Sequence, residues 1–92
     1  MGLKINQYKK NGKKEGLWKI YWENGKLFII GRYKNGERVG VWKEYWMNGK
    51  LFLRGGYKNG KDGVWKEYDN KGKLWRIGKF KNGEGVGVVK IL

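Results

Sequence analysis

The 92-residue chain contains no cysteine, no histidine and no proline. Without cysteine there is no disulfide to staple a small fold and no thiolate nucleophile. Without histidine the imidazole general base and the common zinc sites are excluded as well. Only eight residues are acidic, and they are scattered, which leaves little for a carboxylate metal cage. No cofactor and no bound metal are therefore expected. No run of about 18 apolar residues exists to span a bilayer as a helix. The N-terminal third lacks the continuous apolar stretch of a signal peptide, so a cytoplasmic location is expected if the chain is complete. No segment of helix length carries apolar residues at i, i+3 and i+4, and an amphipathic helix is not expected.

Against these absences stands repetition. Gly16-Leu-Trp-Lys19 returns as Gly40-Val-Trp-Lys43 and as Gly63-Val-Trp-Lys66, a step of 24 and then 23 residues. Tyr21, Tyr45 and Tyr68 keep the same step, as do Leu27, Leu51 and Leu74, then Gly31, Gly55 and Gly78, then Tyr33, Tyr57 and Phe80. A Lys-Asn-Gly turn follows each of the last set. Periods of this length mark arrays whose units cannot bury a core alone. The expected organisation is one domain over 1–92: a partial repeat at 1–15, repeats at 16–39, 40–62 and 63–86, and a terminal strand at 87–92. Val stands near the end where Trp would be due, at Gly87-Val88-Val89.

Each unit reads as two strands joined by alternating turns, because Trp, Tyr, Ile, Val and Phe dominate between glycine-bounded breaks. The expected fold is all-β: a single elongated, twisted antiparallel meander of about eight strands, built from hairpin repeats of 23–24 residues. The strands are placed at 3–9, 16–22, 26–34, 40–46, 50–58, 63–69, 73–81 and 87–92. Asn24-Gly25 and Asn48-Gly49 are read as type I′ hairpin turns. The stretches from Asn35-Gly36 to Gly40 and their equivalents are read as longer loops. Counting outward from Asn24-Gly25 puts Trp22 opposite Leu27, Ile20 opposite Ile29, Trp18 opposite Gly31 and Gly16 opposite Tyr33. Each large ring then covers a cross-strand glycine. On this reading Trp18, Tyr33, Trp42, Tyr57, Trp65 and Phe80 form the core. The same register places Glu67 opposite Arg76 as an ion pair.

The stretch from Gly31 to Leu51, with its Gly-x-Trp-x-x-Tyr, Asn-Gly-Lys-Leu and Gly-x-Tyr-x-Asn-Gly patterns, resembles the MORN repeat (membrane occupation and recognition nexus), most of all its bacterial variant. The resemblance covers nearly the whole chain. It implies an elongated antiparallel sheet used as a binding scaffold, for anionic phospholipid in some members and protein assembly in others, and it implies antitoxin-like action for the bacterial variant.

Two surfaces are candidates for binding. On the face opposite the core, the expected register sets Tyr21 beside Phe28, Tyr45 beside Phe52 and Tyr68 beside Trp75, with Lys19, Lys43, Lys66 and Arg54 on the same side. Tyr, Trp and Arg are enriched at binding hot spots; the competing reading makes this row a second strip of core. The other candidates are Lys34, Lys58 and Lys81, which recur before the long turns. Twenty-two Lys and Arg give the chain a net charge of +14, a field that attracts acidic proteins, nucleic acid or anionic membrane. Lysines on sheet edges also serve simply to block edge-to-edge aggregation. No constellation of acid, base and nucleophile converges, so the chain is read as a non-enzymatic binding or scaffold module with an acidic protein as first partner. Single-stranded nucleic acid, by base stacking beside lysine, and anionic phospholipid are the alternatives. Open strand edges leave self-association as a further route.

Overall fold

Four asparagines and most of the turn glycines adopt positive φ, and these positions punctuate the chain into strands. The structure is a computed structural model that describes residues 5–91, with the side chains of Val88, Val89 and Lys90 left undescribed. The first residues of the expected opening strand, Leu3 and Lys4, lie outside the described residues, as does Leu92. Eight strands follow one another: β1 (Gln7–Tyr8), β2 (Lys14–Tyr21), β3 (Leu27–Lys34), β4 (Glu37–Tyr45), β5 (Leu51–Tyr57), β6 (Lys61–Tyr68), β7 (Leu74–Lys81) and β8 (Glu84–Ile91). They pair in sequence order as one antiparallel meander. The body measures 44 × 33 × 18 Å, close to the thickness of one sheet with its side chains.

The two kinds of turn are exchanged relative to the sequence expectation. Asn35-Gly36 and Asn82-Gly83 each combine two positive φ values, the signature of type I′, and Lys34 pairs directly with Glu37 and Lys81 with Glu84 across them. Asn59-Gly60 also has two positive φ values, but there Tyr57 pairs with Lys61 across three residues and Lys58 N–H donates to Gly60 O. These are the tight hairpins, so β4, β6 and β8 start earlier than expected. At Asn24-Gly25 only the glycine is left-handed, with φ 82°. There Gly25 N–H donates to Trp22 O, Trp22 N–H donates to Lys26 O, and the Asn24 side-chain oxygen accepts from Lys26 N–H. This is a type I turn closed by a glycine bulge. It takes one more residue than type I′, and the ladder slips by one: Ile20 pairs with Ile29 but Tyr21 with Leu27, which leaves Phe28 unpaired. Phe52 and Trp75 are displaced in the same way.

Inward of that slip the expected register holds. Trp18 pairs with Gly31, Trp42 with Gly55 and Trp65 with Gly78. Glu67 pairs with Arg76 and forms an ion pair at 3.3 Å. The rings, however, lean the other way. A Cβ on Gly31 would run into the Trp42 indole, and one on Gly55 into Trp65. A Cβ on Gly40 or Gly63 would meet nothing within 4 Å, so those glycines are not covered by a ring. Their task is conformational: φ of 70° and 80° lets Gly40-Val41-Trp42 and Gly63-Val64-Trp65 bulge opposite a single glycine of the preceding strand. Each indole is thereby laid on the glycine of the repeat before its own and fixed there by hydrogen bonds from Nε1. Trp42 donates to Arg32 O and Val39 O, and Trp65 to Gly56 O.

The result is a continuous spine of edge-to-face rings from Tyr8 through Trp18, Tyr33, Trp42, Tyr57 and Trp65 to Phe80, with centroids 5.1 to 6.2 Å apart. Trp42 and Trp65 are the buried members, at 3% and 4% exposure. Each edge-to-face pair adds about 0.5–1.5 kcal/mol beyond burial. Lys14, Arg38 and Lys61, which recur with the repeat, lie over successive ring pairs at 4.3 to 5.6 Å and shield the spine from water. Burial disfavours the Arg38 charge, but hydrogen bonds and fields from the hydroxyls of Tyr33 and Tyr57 outweigh it and raise its pKa. Trp18, which has no glycine cradle before it, has a buried Nε1 without a partner among the described residues.

Candidate binding surface

The one-residue slip beside each short turn decides what becomes of the expected aromatic row. Phe28 is turned onto Trp22 at 4.0 Å and Phe52 onto Trp46 at 4.5 Å. Trp22 and Trp46 are in turn fixed by the following repeat: their Nε1 groups donate to Tyr45 O and Tyr68 O. Asn24 and Asn48 side chains reach Met47 O and Asn70 O in parallel. Phe28 and Phe52 therefore take part in a second structural ladder that ties one repeat to the next. Tyr45 and Tyr68 are half-buried opposite Leu51 and Leu74. Tyr21 (51% exposed) and Trp75 (40%) stay open, but they stand on β2 and β7, five strands apart. The expected side-by-side aromatic pairs are not assembled.

Trp22, expected opposite Leu27, is not paired with it, because the slip gives Leu27 to Tyr21; the sequence does show that Trp22 and Trp46 occupy the same place before an Asn-Gly and recur at 24 residues. In the third copy Asp69 stands there instead and braces the turn itself. One carboxylate oxygen accepts from both Lys71 N–H and Lys73 N–H at 2.9 Å. Chiefly through the Lys73 bond, and against slight desolvation, this lowers the Asp69 pKa, with the Lys71 bond and both lysine charges adding.

The cations of that face, by contrast, are brought together. On β2 to β7 the paired residues Lys19, Ile30, Lys43, Arg54, Lys66 and Ile77 form one row that crosses the strands. Within it Lys43 is directly opposite Arg54, and Arg54 directly opposite Lys66. Like charges in directly opposed positions destabilise a sheet. Nothing anionic relieves them: among the described residues the one ion pair is Arg76 with Glu67. Alongside the row run two shallow grooves of 440 and 260 Å³ that share Val41 and Arg54. Leu17, Ile30 and Val39 floor the first and Val64 the second, and no carboxylate lines either. Val41 and Val64 are about half exposed, at 53% and 49%.

Lys34, Lys58 and Lys81 lie exposed at the tight turns along one edge. Two of them face an acid across the ladder: Lys34 is paired with Glu37 and Lys81 with Glu84.

A family model described as MORN repeat variant matches the chain three times, over residues 14–35, 38–59 and 61–82. No curated protein and no solved structure matches it.

Proposed function

Because this chain belongs to the MORN repeat variant family, whose repeats are generally binding and scaffold modules without catalysis of their own, we propose that it binds an acidic protein through the cation row Lys43, Arg54 and Lys66. The observation that carries this is the like-charge opposition itself. Elsewhere in the sheet an acid stands opposite a base, where Glu67 meets Arg76; in this row it does not. An anionic partner converts three repulsive neighbours into three attractive pairs and excludes water from the half-exposed valines beside them. Lys19 extends the same row. Antitoxin- or immunity-like neutralisation of an acidic protein is a finer form of this reading and rests on the resemblance to the bacterial variant. Single-stranded nucleic acid is less well served, since stacking needs successive open rings, and Phe28 is already stacked on Trp22 and Phe52 packed at a tilt against Trp46.

The test is to change Lys43, Arg54 and Lys66 together to Gln and compare capture of acidic proteins from a nuclease-treated lysate with capture of single-stranded DNA and of anionic vesicles. Loss of protein capture, with the melting temperature held or raised, is the expected result. Capture equal to the parent's would remove the row from consideration as the binding surface.

A further inference from the structure

The spacing of the cation row narrows the kind of acidic partner it fits, resting on the reading above. Neighbouring strands lie about 4.7–4.9 Å apart, so directly paired side chains step across the sheet at that interval. Lys43, Arg54 and Lys66 occupy three consecutive strands and span about 10 Å at that spacing. An extended segment exposes side chains on one face every second residue, at about 6.6–6.8 Å, and falls out of step by the third charge. A helix presents residues at i and i+4 about 5–6 Å apart along one stripe, with a pitch of about 5.4 Å. Over two turns its stripe spans about 10.8 Å, closer to the row than the roughly 13 Å of an extended segment.

The shape of the surface agrees. The two shallow grooves share Val41 and Arg54, so they follow one another across the strands beside the row. A rod about 10–12 Å wide can lie along them. The row from Lys19 to Ile77 covers five strand intervals, about 24 Å, the length of a helix of about 16 residues. Its sequence of side chains is Lys, Ile, Lys, Arg, Lys, Ile.

We infer that the partner element is an amphipathic acidic helix lying across the strands, with carboxylates on three successive turns opposite Lys43, Arg54 and Lys66 and aliphatic side chains beside them opposite Val41 and Val64. Charge supplies the register, and burial of the valines and of the helix's aliphatic stripe supplies affinity.

The experiment uses synthetic helical peptides of about 20 residues. One carries Glu in a single i, i+4 stripe beside a Leu stripe; a second has the same composition with the Glu dispersed around the helix; a third has the striped charge spacing but a proline-broken, extended backbone. Binding to the full chain is measured by calorimetry. The striped helix is expected to bind at least about tenfold more tightly than either control, as three exposed charge pairs of modest strength would give, and to lose that advantage on Arg54→Gln with the melting curve unchanged or raised. Equal affinity for all three peptides, still lost on Arg54→Gln, would overturn the helix while leaving the acidic-partner reading in place. Peptide binding insensitive to Arg54→Gln would overturn both. Tighter binding of single-stranded DNA or anionic vesicles than of the striped peptide at equal charge would replace the helix by that ligand.

Discussion

Gly31 has no Cβ because the Trp42 ring occupies the space where one would stand. Adding one by Gly31→Ala should overpack the site and cost about 1–3 kcal/mol, with a shift in tryptophan fluorescence as the indole is pushed toward water. Removing the ring by Trp42→Ala should cost about 3–5 kcal/mol. A denaturant curve for Trp42→Ala matching the parent's would mean the spine is not the core. Asp69 offers a second test at this scale. Its folded-state pKa is lowered, mainly by the Lys73 backbone bond, so its contribution is present above the ordinary carboxylate value and is lost as pH falls through the folded value. Stability measured against pH should therefore show an acid-side loss in the parent that Asp69→Asn lacks. The same loss in both would assign it to other carboxylates.

At the scale of turns and strands, much was legible and one inference ran backwards. The repeat period and the aromatic and glycine spacing sufficed to set eight strands, the meander and the Trp18, Trp42 and Trp65 cross-strand partners. The Asn-Gly dipeptide announced a turn but did not identify its type, because Asn-Gly serves both as the two left-handed residues of type I′ and as the last two residues of a type I turn with a glycine bulge. What separates them is the ladder beyond the turn, and Glu37 and Arg38 read as loop residues until their pairing with Lys34 and Tyr33 is seen. The slip of one residue at Phe28 follows from that choice. It turns the expected Tyr21 and Phe28 pair into a Trp22 and Phe28 stack. Parity survives inward of the slip, so Lys43, Arg54 and Lys66 pair across the strands as the register expects, while Phe28 and Phe52 drop out of the ladder. The turn assignment makes its own prediction. Asn35→Ala should cost about 1–2 kcal/mol, the left-handed penalty, while Asn35→Gly should be nearly neutral. At Asn24, which is not left-handed, Gly and Ala should both lose the bonds to Lys26 N–H and Met47 O and melt alike. A large gap between Asn24→Gly and Asn24→Ala would restore the type I′ reading there.

Over the whole molecule, a charge of +14 on 92 residues is carried with little internal neutralisation. Added salt should raise the melting temperature by screening this repulsion, and a fall with salt would mean that ion pairs, not repulsion, dominate the balance. The edge lysines and the central row differ in kind. Changing Lys34, Lys58 and Lys81 to Gln should leave stability within about 0.5 kcal/mol per site and reduce anionic binding only through the loss of general field. The row is different because its members oppose one another, so stability and binding should move in opposite directions when one is neutralised. Arg54, between Lys43 and Lys66, is the position at which that opposition is greatest. The direct test is a paired measurement on Arg54→Gln: melting temperature and affinity for an acidic helical peptide. A melting temperature equal to or above the parent's, with affinity lost, is the predicted result; a lowered melting temperature with affinity retained would show that Arg54 serves the fold and not a partner.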